Sequence, residues 1–395
     1  MVDQPQISVS PTLGSLQPSA TLTISSQAKA MIKEGIDVTS LCAGEPDFDT
    51  PEHVKKAAVK ALEAGDTKYT PVPGRPELRE AIAQKVSAEN DIQCEAGQVI
   101  VAPGAKFSVF STIVTLCSAS DEVILPKPYW VSYPEMVRAA GATAVPVETS
   151  PEDGFCMTPE NLRAAITSRT KLLVLNTPSN PCGGMYSRSQ LEAIAALAVE
   201  HNFVVLADEI YEKLIYDSDH EHVSIASLND EIRERTVTVN GFSKAYSMTG
   251  WRLGYLVAPE WLVKRISALQ SHTTSNPTSF AQMGALAALQ GSQEPVDEMR
   301  EAFRQRRDMI FALLQDIPGI KVEPPHGAFY IFPDISSFGL DSMTFAKRIL
   351  EEAKVGVIPG APFGMDAHVR LSYACDNETI EKACARIKEF CATLG

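Results

Sequence analysis

Five consecutive apolar residues, Phe203-Val204-Val205-Leu206-Ala207, constrain the fold more than any other stretch of this chain. A strand with one wet face alternates apolar and polar side chains; a strand that is apolar throughout belongs to a sheet covered on both faces. Val99-Ile100-Val101-Ala102 has the same texture, and further β-rich runs lie at Asp121–Leu125, Thr143–Val147, Lys171–Asn176, Thr236–Val239 and Leu253–Val257. Helical patterns separate them. One runs from Pro51 to about Ala64, with Thr50 as its cap and Gly65 as its stop; others cover Pro76–Ala88, Phe107–Leu116 and Ser189–Asn202. Strands alternating with helices from about Thr50 to Gly291 predict an α/β fold with a mostly parallel sheet covered by helices. Ligands of such sheets bind at the carboxyl ends of the strands, so the loops after the strands are the place to seek chemistry.

After Gly291 the texture changes. A long charged helix spans Pro295–Asp316 and a strand falls within Gly327–Phe332. A helix over Ser342–Ala353, strands at Val355–Ile358 and His368–Tyr373, and an amphipathic helix over Glu378–Thr393 follow. This reads as a smaller α+β unit. At the other end, residues 1 to about 16 read as an irregular polar arm, and Ile24–Lys33 as a helix ended by Gly35. No internal repeat is visible.

The chain has 395 residues, enough for a large core, and a net charge of −14. That charge argues against nucleic acid and anionic membrane as partners, but a locally basic site for an acidic substrate remains open. The eight cysteines form no Cys-x-x-Cys pair and mostly sit in apolar runs. They read as reduced thiols of a reducing compartment. No secretory signal and no apolar run of membrane-span length is visible. The expected compartment is the cytoplasm, or an organelle stroma if a transit peptide has been removed. His220-Glu221-His222 looks like a ligand pair, but its charged loop offers no third ligand nearby in sequence, so it reads as a solvated loop and no metal is expected.

The chemistry concentrates in Gly241-Phe242-Ser243-Lys244 and Gly250-Trp251-Arg252-Leu253-Gly254. A lysine stands just after one β-rich run, and an arginine eight residues later stands just before the next. A lysine can form a Schiff base with an aldehyde, and an arginine can hold a phosphate with a planar fork. The stretch resembles the lysine motif of the class I pyridoxal-phosphate aminotransferases. Other segments resemble the same family: the Gly44-Glu45-Pro46-Asp47-Phe48-Asp49-Thr50-Pro51 loop, Tyr69-Thr70-Pro71, the Gly104-Ala105-Lys106 turn, Asn180-Pro181-Cys182-Gly183, and Asp208-Glu209-Ile210-Tyr211. The likeness runs from about Pro18 to Arg370.

That resemblance implies a pyridoxal 5′-phosphate enzyme with fold type I architecture. It implies a large cofactor-binding domain at 48–291 and a discontinuous small domain formed by 1–47, with the N-terminal arm, and 292–395. Lys244 would bind the cofactor and move the substrate α-proton. Asp208 would face the ring nitrogen, with Glu209 pointing elsewhere. Tyr211 and Asn180 would bond the phenolic oxygen, and Trp130 would stack on the ring. Arg252, Gly104, Ala105, Lys106 and Ser243 would hold the phosphate. Tyr69 would reach the cofactor of a second copy in a homodimer with shared active sites. Arg370, as a half-buried strand residue, would take the substrate α-carboxylate beside Gly44. Two departures stand out: Cys182 replaces a usual threonine, and Gly241 replaces a serine that often donates to the phosphate.

For the substrate side chain, Lys106 matches a lysine that recognises a second carboxylate, and Ser19 and Thr21 match residues lining the same pocket. The branch with this lysine and threonine includes enzymes that use aspartate, glutamate and prephenate. This implies transamination of aspartate with 2-oxoglutarate, with prephenate to arogenate as a further activity. Aminotransferases for other amino acids, aromatic or aliphatic, and lyases on the same scaffold share the lysine, aspartate and arginines, so fold alone does not separate them. An aminotransferase-like sensor domain would need a DNA-binding region, and the residues before Gly44 hold no basic helix-turn-helix pattern.

Overall fold

The structure is a computed structural model describing residues 10–18, 20–217 and 219–394. Among the described residues twelve strands are numbered in chain order: β1 (Thr39–Ser40), β2 (Val99–Ala102), β3 (Glu122–Pro126), β4 (Thr143–Val147), β5 (Thr170–Asn176), β6 (Val204–Asp208), β7 (Thr236–Gly241), β8 (Gly254–Val257), β9 (Tyr330–Ile331), β10 (Val355–Gly356), β11 (Ile358–Pro359) and β12 (Val369–Ser372).

Strands β2 to β8 form one seven-stranded sheet in the order β2-β8-β7-β6-β5-β3-β4. Neighbours from β7 to β4 pair in parallel; β8 runs antiparallel to both β7 and β2. The unbroken apolar runs follow from the covering of both faces. Leu172, Val174 and Leu206 enter one core with Val109 and Ile113 of the helix Ala105–Leu116. Their neighbours Leu173, Leu175, Val205 and Ala207 enter another, with Leu191 and Ile194 of the helix Arg188–Glu200. Each buried aliphatic side chain contributes about 1.5–3 kcal/mol, so a register slip in these strands is strongly opposed. The edge strand β4 is the most exposed of the seven described strands, and Pro146 falls at one of its exposed positions.

A further core, away from the large sheet, joins Leu41 to Phe303, Ile310, Phe329, Ile331, Ile349, Val369, Leu371 and Ile387. It surrounds the antiparallel sheet β11-β12-β9 and the parallel pair β1-β10, so residues near the N-terminus pair with the C-terminal part of the chain. Helices Glu294–Gln315, Ser342–Glu352 and Asn377–Ala392 flank it. Ile210, Tyr211, Leu214 and Tyr216, which follow β6, also pack into this core. The Tyr216 hydroxyl donates to the Ala328 carbonyl. The segment leaving β6 therefore links the large sheet to this core.

Some details differ from the sequence reading. Thr50 is not a cap: the helix is Glu52–Glu63 after Pro51. Instead Thr50 Oγ1 donates to the Ser247 carbonyl at 2.7 Å and accepts from Trp251 Nε1 at 3.0 Å, fastening the Gly44 loop to the loop after Lys244. The arm contains a short helix, Pro11–Gly14, and residues 1–9 lie outside the described residues. Val355–Ile358 divides between two strands that join different sheets. All eight cysteines are free, and among the described residues no helix is long and apolar enough to cross a membrane.

Candidate active site

Several of the sequence-derived candidates gather at one edge of the large sheet. Gly104, Trp130, Asn180, Tyr211 and Lys244 follow β2, β3, β5, β6 and β7, while Asp208 is the last residue of β6. Arg252 breaks the rule of loops after strands, because it precedes β8. β8 is antiparallel to its neighbours, so its beginning lies at the same edge.

Lys244 donates from Nζ to the Gly44 carbonyl and lies 5.9 Å from the Tyr211 ring centre and 5.5 Å from that of Phe329. Burial, with Arg370 and Arg252 nearby, pulls its ammonium down to about 8, against the opposing fields of Glu45 and Asp208. Asp208 is buried and accepts from the Tyr133 hydroxyl at 2.7 Å and the Ile210 N–H at 3.3 Å. Burial raises its carboxyl to about 6, even though these two donors act to lower it. Glu209 turns away, accepting from Ser224 Oγ at 2.7 Å and pairing with His222 at 3.0 Å.

Arg370 lies on β12, the middle strand of its sheet, and is buried at 4 % exposure rather than half-buried. It donates to Asn180 Oδ1 at 3.0 Å and to the Cys42 carbonyl at 3.3 Å, while its buried Nε has no partner. Its guanidinium lies 4.3 Å over the Tyr330 ring. The Tyr330 hydroxyl is 3.1 Å from that of Tyr211. Asn176 holds the loop beyond β5, accepting from the Asn180 N–H at 2.8 Å and donating to the Asp208 carbonyl at 2.9 Å.

At the other end, Arg252 adopts a left-handed backbone (φ 55°) and donates to the Thr249 carbonyl at 2.8 Å. Its Nη2 packs so close to Gly104 (φ 91°) that a Cβ there would come within 2.5 Å. The helix Ala105–Leu116 starts at this point, and its first N–H groups lack intrahelical acceptors. Lys106 Nζ lies 4.7 Å over the half-buried Trp130 ring. Partial burial, then Arg252, lowers the Lys106 ammonium from its usual range. Ser243 is buried beside Lys244.

The sequence model for aminotransferase class I and II matches residues 36–387. The chain belongs to the class I and II aminotransferases. Aspartate aminotransferase of Bacillus subtilis is 47 % identical over 383 residues, covering 96 % of this chain and 97 % of that protein. Aspartate/prephenate aminotransferase of Cereibacter sphaeroides is 45 % identical over 398 residues, covering 98 % and 99 %. The solved structure of aspartate aminotransferase from Thermus thermophilus with maleate superposes with a TM-score of 0.93 at 45 % identity, covering 97 % and 99 % of the two chains.

The cofactor of this aminotransferase is pyridoxal 5′-phosphate. The residues suit it. A buried carboxylate held only by neutral donors is a place for a cationic ring N–H. The Gly104 turn, the helix start and Arg252 make an anion cradle. A lysine of lowered proton affinity lies with them at the same sheet edge.

One of the two departures has a local explanation. Gly241 ends β7 opposite Gly254, and a Cβ on it would meet Gly254 Cα at 2.9 Å. No serine fits there without displacing β8. Cys182 is buried with Sγ 2.8 Å from Ser179 Oγ, inside the turn that carries Asn180.

The sequence reading missed Tyr133, Phe329 and Tyr330, and also Glu45, which accepts from Thr249 Oγ1 at 2.8 Å. The spacing of Tyr129 and Tyr133 after a strand was the available signal for Tyr133. The solvated-loop reading of His220-Glu221-His222 needs correction: His222 is nearly buried against Glu209, and His220 stacks on His326 at 3.8 Å. Tyr69 is 91 % exposed and hardly covered by its own chain. Ser19 and the Thr21 side chain lie outside the described residues.

Proposed function

We propose that this aminotransferase moves the amino group of aspartate to 2-oxoglutarate, giving oxaloacetate and glutamate in a ping-pong cycle, and that it also takes prephenate to arogenate. The observation that carries the dicarboxylate reading is Lys106, a second cation held over the Trp130 ring beside Arg252. The names of the relatives from Bacillus subtilis and Cereibacter sphaeroides support the two substrates.

Bound at this site, the cofactor withdraws electrons from the bond that breaks at the substrate α-carbon. The residues do the rest. Lys244 Nζ takes the α-proton and returns it, and its value of about 8 leaves a useful share of free amine near neutral pH. Asp208 holds the proton on the ring nitrogen. Tyr211 and Asn180 bond the phenolic oxygen, and Trp130 covers the ring. Arg370 grips the α-carboxylate beside Gly44, fixing which bond points at Lys244. Lys106, with Ser19 and Thr21, receives the second carboxylate.

Arg252, Gly104, Ala105, Lys106 and Ser243 hold the phosphate, completed by Tyr69 of the partner subunit in a homodimer. The exposure of Tyr69 supports that assembly. The same reading divides the chain into a cofactor domain at 48–291 and a small domain of 1–47 and 292–395. The pairing of β1 with β10 and confinement of the large sheet to 99–257 support it. The eight free cysteines suit a reducing compartment, the cytoplasm.

The test is product analysis with aspartate and 2-oxoglutarate, and separately with glutamate and prephenate. Equimolar oxaloacetate and glutamate, and arogenate in the second mixture, are expected. Aspartate consumed without glutamate formation would replace the transfer reading with a lyase.

A further inference from the structure

Tyr330 is fully buried on β9, paired with Ser372 of β12. Side chains two apart on a strand share a face, so Tyr330 and Arg370 are diagonal neighbours. Their contact is a guanidinium over an aromatic face at 4.3 Å. The hydroxyl of the same ring meets Tyr211 Oη at 3.1 Å, with the two rings edge-on at 82°. It also lies where a Cβ on Gly44 would be 3.7 Å away, and Gly44 is the carbonyl that accepts from Lys244. One side chain thus touches the arginine, the tyrosine and the loop that holds the lysine.

We propose that Tyr330 is a positioning residue that couples substrate binding to the cofactor: its ring carries Arg370 and its hydroxyl is bonded to that of Tyr211. When Tyr211 gives its one proton to the phenolic oxygen, Tyr330 is left as the donor between the two tyrosines, so a carboxylate on Arg370 changes the hydrogen bond that Tyr211 gives. The proposal rests on the roles given above to Arg370 and Tyr211. Its physical content is polarisation along a short chain of groups in a dry site. The guanidinium draws electron density from the Tyr330 ring and strengthens its hydroxyl as a donor. Tyr211, accepting that bond, becomes a stronger donor in turn. A stronger donor to the phenolic oxygen spreads charge that would otherwise hold a proton on the nearby Lys244 nitrogen, so it lowers that proton's affinity. A substrate carboxylate neutralises Arg370 and relaxes the chain, and the affinity rises. Glu45, Asp208, Arg252 and Arg370 also act on Lys244 directly, so differences between variants carry the information.

The experiment is a pH titration of the visible absorbance of the resting holoenzyme, with and without maleate, a dicarboxylate that has no amino or oxo group to transfer. In the unaltered protein maleate is expected to raise the titration midpoint. Tyr330→Phe keeps the ring under Arg370 and removes only the hydroxyl. Its resting midpoint is expected to rise by roughly half to one unit, and the maleate-induced rise to shrink. On a Tyr211→Phe background the same substitution is expected to change neither. An unaltered resting midpoint and maleate response in Tyr330→Phe overturns the coupling, as does an equal effect on the Tyr211→Phe background. Arg370→Lys separates the two levels of the argument: a full maleate response in that variant removes the role given to Arg370 itself.

Discussion

The Tyr133 hydroxyl donates to Asp208 Oδ2 across 2.7 Å, and both side chains are buried. This neutral bond steadies the carboxylate without balancing its charge, which is why burial still lifts Asp208 to about 6. A carboxyl raised above its unfolded value adds its full stability only below the unfolded value, near pH 4, and loses it as pH rises through 6. At neutral pH the ionised group therefore costs the cofactor-free protein about 3 kcal/mol. Asp208→Asn is expected to melt higher than the unaltered protein at pH 8 when both lack cofactor, with the gap closing toward pH 4. The same variant should lose on the order of a hundredfold or more in turnover. A cofactor-free Asp208→Asn protein that melts lower at pH 8 would show that Asp208 is not strained by its burial.

Lys106 is the residue on which substrate choice turns. Lys106→Ala is expected to lower kcat/KM for aspartate by roughly ten- to a hundredfold, the worth of one charge-assisted hydrogen bond. Alanine, which has no second carboxylate, should change far less. Steady-state rates with both amino acids settle this, and equal losses would remove Lys106 from the side-chain pocket.

Behind Tyr211 the chain turns into a buried ion pair. Glu212 meets Lys85 and accepts from Asn90 Nδ2 at 2.5 Å, and both charged side chains are under a tenth exposed. Burial alone would raise the Glu212 carboxyl, but Lys85, then His222 and the bonds from Lys85 and Asn90, bring it to about 2. A depressed carboxyl stabilises above its unfolded value and loses that contribution as pH falls, here between about 4.5 and 2. Lys85→Met should cost about 3–5 kcal/mol by stranding Glu212, and adding Glu212→Leu should recover much of it. Denaturant midpoints of the three variants test this; a Lys85→Met protein as stable as its parent would contradict it.

Gly241→Ser would place a hydroxyl three residues before Lys244. It is expected to weaken cofactor binding, because the new Cβ would press on Gly254 Cα and Leu253 O across the β7/β8 pair. Cofactor titration by fluorescence quenching reads the outcome. Tighter binding would mean that β8 yields easily.

Much of this was legible in local sequence. Lys244, Arg252, Asp208 and Tyr211 stand in short runs at strand ends, and unbroken apolar strands forced a sheet covered on both faces. Local runs do not reveal contacts made across long stretches of chain. Tyr133 meets Asp208 across 75 residues, and Tyr330 meets Tyr211 across 119. His222 looked solvated because its immediate neighbours are charged, yet the loop folds back onto Glu209. Arg370 was read as half-buried from Val369 and Leu371, but β12 lies between β9 and β11 and is buried throughout. Strand order within a sheet is a tertiary property that the flanking residues do not carry.

The central claim is that Lys244 holds a cofactor which takes the amino group from aspartate, and the absorbance spectrum of the purified holoenzyme tests it most directly. Aspartate should abolish the visible band of the lysine-bound cofactor, and 2-oxoglutarate should restore it. A band that persists unchanged in saturating aspartate would contradict the account.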